Sequence, residues 1–466
     1  MNRRSPSMVY PSDGDLTQTS RRPRSWLLAL AALALMGALI APAGIAQTSV
    51  APQGPAGPVL VPASTADPTT PAPNPEVLAS LLDSEFANPA VAASIGAVVF
   101  DPATGTVLYE RDSLRPRTPA STVKLLTAIS VLDAVGPLGR ITTNVHYDPV
   151  SMTLTLVGAG DPTLASTGGE GSSLAELADA VVEAVDGPGP NAAIELRYDA
   201  SLFSGPTIAQ GWSADYPALG VTAPVSALEV DGSLAADGVT YVSDPALTAA
   251  LAFAQALTDR GLQPGAPQAG TVGAAPVIAS TTSVPVAAMV QRMLTDSKNA
   301  MAETLGHLAG AVRFGTGSFA TAAQAVDAAL QDIDISTSDL TLYDSSGLSV
   351  DNTAPARVFA QVLSVMVRNP GAWWAWPIPG GLPVAGVTGT LADRFYTSAT
   401  YAGVGVVRAK TGTLIGVSAL AGSVVDRDGR LLVFSFISDG ASDVSISREV
   451  LDRAATVLAQ CGCNAA

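Results

Sequence analysis

The pattern of hydrophobic and polar positions predicts regular structure towards both ends of the chain and an interrupted middle. Apolar residues recur with helical spacing over 76–82, 121–134, 284–309, 318–330, 355–367 and 445–458. Short β-rich runs predict strands over 95–100, 106–109, 404–410, 414–425 and 431–438. Because strands lie near both ends with helices between them, we expect one sheet built from both terminal regions, in an α/β (α+β) fold.

The middle of the chain follows another pattern. Short strands over 152–157 and 193–198 alternate with a helix over 174–185, and Gly and Pro interrupt the segment repeatedly. We interpret residues 141–285 as an inserted subdomain. It separates two halves of a main domain, residues 76–140 and 286–466.

The first 75 residues are not expected to belong to either domain. Arg21, Arg22 and Arg24 precede an uncharged apolar run over 26–45 that ends in small residues. This order is typical of a secretory signal, and the run is also long enough for a membrane anchor. We therefore predict that residues 1–46 are a signal peptide or an anchor and that the protein is exported. The Pro- and Ala-rich residues 47–75 read as a linker.

Composition and charge exclude several classes of function. The 466 residues include 24 Lys and Arg against 40 Asp and Glu, a net charge of −16, which argues against a nucleic-acid partner. The two cysteines (Cys461, Cys463) and two histidines (His146, His307) lack the spacing of a zinc site. We expect neither a metal nor a cofactor.

Three short motifs occur in order along the chain: Ser121-Thr122-Val123-Lys124, Ser297-Lys298-Asn299 and Lys410-Thr411-Gly412. Each motif alone is weak, but their order and their placement on a helix start, a helix and a strand are specific. The chain has only three lysines, and each lies in one of these motifs. Lysine can lose its proton in a suitable environment whereas arginine cannot, so this distribution indicates proton-transfer chemistry.

The first motif predicts a nucleophile and its base. Ser121 begins a helix, where free N–H groups favour developing negative charge. Lys124 lies three residues later on the same helix face, so its amine reaches the Ser121 hydroxyl. Ser297 is the third catalytic candidate, because it faces the same cleft and is suited to relaying a proton between Lys124 and a leaving amine.

The other two motifs predict substrate contacts. Asn299 is suited to holding a peptide amide, and Lys298 is expected to point into solvent. Lys410, Thr411 and Thr413 lie on an edge strand where they suit a substrate carboxylate. The N–H groups of Thr413 and Ser121 would form an oxyanion hole. Of two further Gly-rich segments, 158–162 reads as a strand-ending turn, and 343–349 fits a plain turn or a wall of the cleft equally well. We assign no chemistry to either segment.

These motifs resemble those of the low-molecular-mass class C penicillin-binding proteins, the D-alanyl-D-alanine carboxypeptidases and endopeptidases of peptidase family S13. The resemblance spans residues 78–460 and includes 120–125, 297–303, 408–414, 158–164, 344–352 and 382–386. It implies a serine β-lactamase/transpeptidase-like sandwich of an antiparallel sheet and helices. The middle residue of the second motif is often Asp or Asn in that family, and Lys298 departs from this pattern.

The resemblance implies a serine D-Ala-D-Ala carboxypeptidase that acts on peptidoglycan stem peptides through an acyl-enzyme. β-Lactams are then expected to be covalent inhibitors. A serine β-lactamase is one alternative, although no carboxylate motif for activating a deacylating water is visible. A non-catalytic wall-binding module is another, which the intact Ser121, Lys124 and Lys410 argue against.

Overall fold

The computed structural model describes residues 70–89, 91–185 and 194–462. The predicted signal or anchor (1–46) lies outside the described residues, as does the predicted linker up to residue 69. In the described ranges, no helix is both long and apolar enough to cross a membrane.

The described residues form the following strands: β1 (Ile95–Asp101), β2 (Thr106–Arg111), β3 (Pro116–Arg117), β4 (Thr142–Asp148), β5 (Thr153–Val157), β6 (Glu195–Asp199), β7 (Gln268–Ala269), β8 (Val277–Thr282), β9 (Ala354–Pro355), β10 (Arg408–Leu414), β11 (Val417–Val425) and β12 (Leu431–Asp439). Their helices are α1 (Pro75–Phe86), α2 (Lys124–Val135), α3 (Leu174–Ala184), α4 (Pro245–Thr258), α5 (Val286–Asp296), α6 (Asn299–Phe314), α7 (Phe319–Gln331), α8 (Ala356–Arg368), α9 (Pro377–Gly381) and α10 (Val444–Gln460).

The main sheet joins both terminal regions, as the sequence predicts. Its order is β10-β11-β12-β1-β2, and every neighbouring pair is antiparallel. Strand β1 is buried along its whole length because helices cover both faces of the sheet. Its Ala97 and Val99 share a core with α1 and α10, whereas Val98 and Phe100 face α8. The predicted α+β sandwich is confirmed.

A second sheet is built entirely from residues 142–282. Its order is β7-β6-β5-β4-β8, with parallel pairing of β5, β6 and β7 and antiparallel pairing of β4 with β5 and β8. Helices α3 and α4 pack against it around Phe253, Leu156 and Val181, in a hydrophobic core of its own. The inserted subdomain over 141–285 stays a prediction, and the residues of this core lie within it.

Two predicted elements were wrong in detail, and both lie at motifs. The helical pattern over 284–309 contains two helices, α5 and α6, because Ser297 adopts a left-handed conformation (φ 57°) that ends the first helix. The strand predicted over 404–410 begins at Arg408 and runs through the third motif to Leu414. Ser297 of the second motif therefore lies at the break between two helices, and the third motif lies within a strand.

Candidate active site

The turn that carries Ser121 is conformationally unusual. Residues Ala120–Val123 form a 3₁₀ turn that leads directly into α2. Ala120 has φ 49°, which side chains with a Cβ rarely adopt. Gly347 lies directly against this residue, since a Cβ at Gly347 would stand 2.0 Å from the Ala120 carbonyl oxygen. The loop around Gly347 therefore supports the turn from behind.

Lys124 makes three hydrogen bonds within the site. Its Nζ donates to the Ser121 Oγ at 3.1 Å, to the Asn299 Oδ1 at 2.8 Å and to the Ser346 carbonyl at 2.6 Å. Burial lowers the pKa of Lys124 to about 8, against the opposing effect of Glu303 and Asp344. A buried amine with a lowered pKa beside a serine hydroxyl is the arrangement that a general base requires.

The second motif lies on the short break between α5 and α6, so its three residues point in different directions. The Ser297 Oγ accepts a hydrogen bond from Lys410 Nζ at 2.9 Å. The Asn299 Nδ2 donates to the Val221 carbonyl at 2.8 Å, so both ends of its amide contact protein groups. Lys298 is exposed, as predicted.

The third motif forms the edge strand of the main sheet. Lys410 is completely buried, and burial together with the positive charges of Lys124 and Arg394 lowers its pKa well below the usual value. Thr411 Oγ1 shares a 2.8 Å hydrogen bond with Thr390 Oγ1. Gly412 lies against the Ser121 turn, because a Cβ there would stand 2.8 Å from the Pro119 carbonyl.

A cleft of about 390 Å³ joins these motifs. Its walls combine four predicted site residues with four that the sequence reasoning missed: Ser121, Ser297, Thr411 and Thr413, and then Thr390, Asp393, Arg394 and Arg448. The two arginines add positive charge to this lining, and Asp393 adds a negative charge. Arg394 is held in place by Asp452 of α10.

The loop 343–352, to which the sequence assigned no chemistry, holds the Lys124 environment together. The fully buried carboxylate of Glu303 accepts the N–H groups of Ser345 and Ser346, at 2.7–3.1 Å. Asp344 accepts the N–H groups of Gly347 and Ser349 and the amide of Asn352. Glu303 lies four residues after Asn299 on α6, a spacing that offered a sequence signal for this support.

The middle segment, residues 141–285, also contacts this loop. The Trp212 Nε1 donates to the Asp344 Oδ2 at 2.7 Å, and Val221 supplies the carbonyl that orients Asn299. Residues 212–221 therefore contact two elements that position Lys124. Among the described residues, no group of His, Cys, Asp or Glu side chains is arranged to hold a metal ion.

Comparison with known proteins agrees with this geometry. The family model described as the D-Ala-D-Ala carboxypeptidase 3 (S13) family matches residues 78–243 and 228–461. The chain belongs to this family. The match covers all three motifs and both sheets, so the S13 assignment predicted from the motifs is confirmed, and the protein is a hydrolase of this class.

Curated relatives and solved structures support the S13 assignment. The chain is 34% identical over 95% of its length to carboxypeptidase DacB of Mycolicibacterium smegmatis, which it covers completely. It is 37% identical over 78% of its length to carboxypeptidase Rv3627c of Mycobacterium tuberculosis, covering 80% of that protein. Penicillin binding protein 4 of Haemophilus influenzae superposes with a TM-score of 0.67 at 19% identity, over 81% of this chain and 98% of that one; this likeness shows the fold.

Proposed function

We propose that this protein is a serine D-Ala-D-Ala carboxypeptidase that acts on peptidoglycan stem peptides, with Ser121 as nucleophile and Lys124 as base. One observation carries the proposal: the buried Lys124 amine lies 3.1 Å from the Ser121 hydroxyl. With a pKa of about 8, this amine is neutral in roughly one molecule in ten at pH 7. A neutral amine at this distance is able to take the serine proton.

The reaction has two acyl-transfer steps. The Ser121 Oγ attacks the carbonyl between the two D-alanines as its proton passes to Lys124, and the N–H groups of Ser121 and Thr413 stabilise the oxyanion. The C–N bond then breaks, and the terminal D-alanine leaves after its nitrogen receives a proton. We propose that Ser297 relays to that nitrogen the proton that Lys124 has taken; the Ser297 Oγ accepts a hydrogen bond from Lys410 Nζ. Water finally hydrolyses the ester and regenerates the Ser121 hydroxyl.

The charge of the cleft suits a substrate that ends in a carboxylate. Arg394 and Arg448 line the cleft together with Asp393, and the buried Lys410 donates to Ser297 of the same lining. We assign Thr411 and Thr413 to hydrogen bonding of the substrate, with the positive charges attracting its carboxylate. Asn299 is bonded to Lys124 and Val221, so we propose that it orients the base in addition to contacting the substrate amide.

A β-lactam offers a carbonyl and a carboxylate in a similar relation, so we propose that penicillins acylate Ser121. Residues 141–285 are proposed as an inserted subdomain that completes the site through Trp212 and Val221. An exported location follows from a substrate in the cell wall. We propose that residues 1–46 direct this export, as a cleaved signal or a retained anchor.

The test compares the full-length parent with Ser121→Ala in two assays: covalent labelling by a fluorescent penicillin, and release of D-alanine from a peptide ending in D-Ala-D-Ala. The parent should do both, and Ser121→Ala neither. A label that survives the substitution would move the nucleophile elsewhere. Rapid penicillin turnover without a lasting adduct would favour the β-lactamase alternative, and peptide binding without D-alanine release would favour the non-catalytic one.

A further inference from the structure

Two of the three oxygens around the Lys124 amine can only accept hydrogen bonds. The Asn299 Oδ1 lies 2.8 Å from the amine and the Ser346 carbonyl oxygen 2.6 Å, and neither oxygen carries a proton. A neutral amine has two N–H groups and one lone pair. When these two oxygens accept the two N–H groups, the lone pair is left to face the Ser121 hydroxyl, which lies 3.1 Å away. The two oxygens therefore fix the direction from which Lys124 takes a proton.

The first of these acceptors is oriented by the middle segment. The Asn299 Nδ2 donates to the Val221 carbonyl at 2.8 Å. Because a carbonyl oxygen only accepts, this bond turns the nitrogen of the amide towards Val221 and its oxygen towards Lys124. The Val221 N–H donates in turn to the Tyr216 carbonyl at 2.9 Å, which holds Val221 within a turn of the middle segment.

The second acceptor is oriented from the same segment through a buried carboxylate. Ser346 lies two residues after Asp344 and directly before Gly347, whose N–H donates to the Asp344 Oδ1 at 2.9 Å. The Asp344 Oδ2 accepts from the Trp212 Nε1 at 2.7 Å and from the Ser349 N–H at 2.6 Å. Asp344 is only 4% exposed, so loss of the Trp212 bond would leave a buried acceptor partly unsatisfied. The turn that presents the Ser346 carbonyl would then lose part of its support.

Trp212 is itself held in place by packing against the same loop. Its side chain is 9% exposed and belongs to a hydrophobic cluster that includes Leu348. Its ring meets Phe319 of α7 edge to face, with the centroids 5.8 Å apart. The two chain segments approach closely here, since a Cβ at Gly211 would stand 2.5 Å from the Ser349 Oγ. The position of the indole N–H is therefore fixed relative to the loop that it supports.

We propose that Trp212 is a positioning residue for acylation: together with the Val221 carbonyl, it holds the two acceptors that direct the lone pair of Lys124 towards Ser121. Within the described residues, the lining of the catalytic cleft does not include Trp212. Its effect is therefore expected on the rate of proton transfer and not on the binding of the substrate. This inference rests on the proposed function of Ser121 and Lys124 and assigns the middle segment a part in that step.

The experiment measures acylation of full-length protein by a fluorescent penicillin over a range of concentrations. Trp212→Phe keeps an aromatic ring in the cluster and removes the N–H donor. We expect its limiting acylation rate to fall about tenfold, with an unchanged half-saturating concentration. The loss should persist at about pH 9.5, where the Lys124 amine is mostly neutral. Tyr198→Phe, which removes a polar atom from a half-buried aromatic side chain of β6 in the same segment, should acylate at the parent rate.

A double-mutant cycle with Asp344→Asn tests the route of this effect. Each single variant should lose limiting rate at an unchanged half-saturating concentration. The combined variant should lose little more than the slower single variant, because both substitutions disturb the same hydrogen bond. Losses that multiply in the combined variant would show that Trp212 does not act through Asp344, and would overturn the inference.

Three results for Trp212→Phe would also overturn it: a limiting rate equal to that of the parent, a change in the half-saturating concentration alone, or a loss that disappears at high pH. Thermal unfolding checks the fold of each variant. If Trp212→Phe does not fold, Asp344→Asn tests the same bond from its acceptor side by the same readout. Failure of the proposed function is a separate result, since the parent and Tyr198→Phe would then remain unlabelled as well.

Discussion

The catalytic part of the protein and its middle segment bury charge in different ways. Around the main sheet, Lys124, Lys410 and Glu303 are completely or almost completely buried, and so is the ion pair of Arg430 with Asp101. In the middle segment, the buried carboxylates are bonded to hydroxyl and backbone N–H groups, and the ion pair of Arg260 with Asp179 lies at the surface.

We infer that the buried lysines beside the main sheet serve the proposed chemistry, whereas the Arg430–Asp101 pair and the charges of the middle segment serve folding. A buried amine loses its hydration and stabilises the fold only when its partners compensate for that loss. A carboxylate that accepts hydrogen bonds from nearby N–H groups fixes a loop, and these bonds replace the hydration that it loses. Lys124 and Lys410 are kept buried where such burial lowers their pKa. The buried lysines with lowered pKa both lie beside the main sheet, which supports the proposal that the reactive groups are there.

The strongest test of the comparison removes the buried base. Lys124→Gln should reduce the rate of Ser121 acylation by penicillin at least ~10³-fold, because a serine hydroxyl without a base is a weak nucleophile. Stopped-flow or gel-based labelling measures this rate. Arg260→Gln, which removes a cation from the middle segment, is the matched control and should acylate at the parent rate. Equal rates for Lys124→Gln and the parent would remove Lys124 from the mechanism.

The buried ion pair should give the largest effect on stability. The Asp101 side chain is 1% exposed, and its Oδ2 accepts from Arg430 and Thr104. Asp101→Asn removes the negative charge that faces the buried guanidinium of Arg430, so we expect a loss of about 3–5 kcal/mol. Urea unfolding followed by tryptophan fluorescence measures it. A loss below about 1 kcal/mol would show that this pair behaves like a surface pair.

Local sequence signals predicted the parts of the site that depend on neighbouring residues. The hairpin over 95–111 and the helix after Ser121 follow from turn chemistry and apolar spacing within a few residues. Because the chain has only three lysines, one in each motif, the sequence also indicated that three distant motifs act together. Helix α4 was missed, because its Ala- and Leu-rich sequence shows little contrast between two faces.

The remaining parts of the site depend on contacts between distant segments. Arg394 and Arg448 lie on separate segments that meet at the cleft, where Arg394 is bonded to Asp452 of α10. The Ser346 carbonyl meets Lys124 through a loop that is 222 residues away in sequence. The left-handed Ser297 has no local signal, since glycine or asparagine is the usual residue there. The spacing of apolar residues along the sequence does not predict such long-range contacts.

The third prediction concerns the pH at which Lys124 becomes able to accept the serine proton. Acylation of the parent should rise with pH through an inflection near 8, the pKa of Lys124, because only the neutral amine accepts the serine proton. In Glu303→Gln the inflection should move to lower pH, since the ionised Glu303 carboxylate raises the pKa of Lys124. Burial raises the pKa of Glu303 itself to about 8, so this effect grows as Glu303 ionises. Asp161→Asn, which alters a buried carboxylate of the middle segment, should leave the inflection near 8.

The same titration has a consequence for stability. The folded-state pKa of Lys124 is below its ordinary value of 10.5, so protonation favours the unfolded chain. The contribution of Lys124 to stability is therefore least favourable below pH 8 and improves as the pH rises from about 8 towards 10.5.

In the acylation experiment, an inflection of the rate in Glu303→Gln at or above the parent pH would contradict the proposed electrostatic link between Glu303 and Lys124.

The smallest effect is expected at the surface of the middle segment. The side chain of Asp179 is 66% exposed and that of Arg260 24% exposed, so solvent screens their ion pair. Arg260→Gln should leave the unfolding midpoint unchanged within experimental error, at both low and high salt. A clear loss of stability that disappears in high salt would show that surface charge supports this segment. The difference between the two regions would then hold only for the buried lysines around the main sheet, whose pKa is lowered by burial.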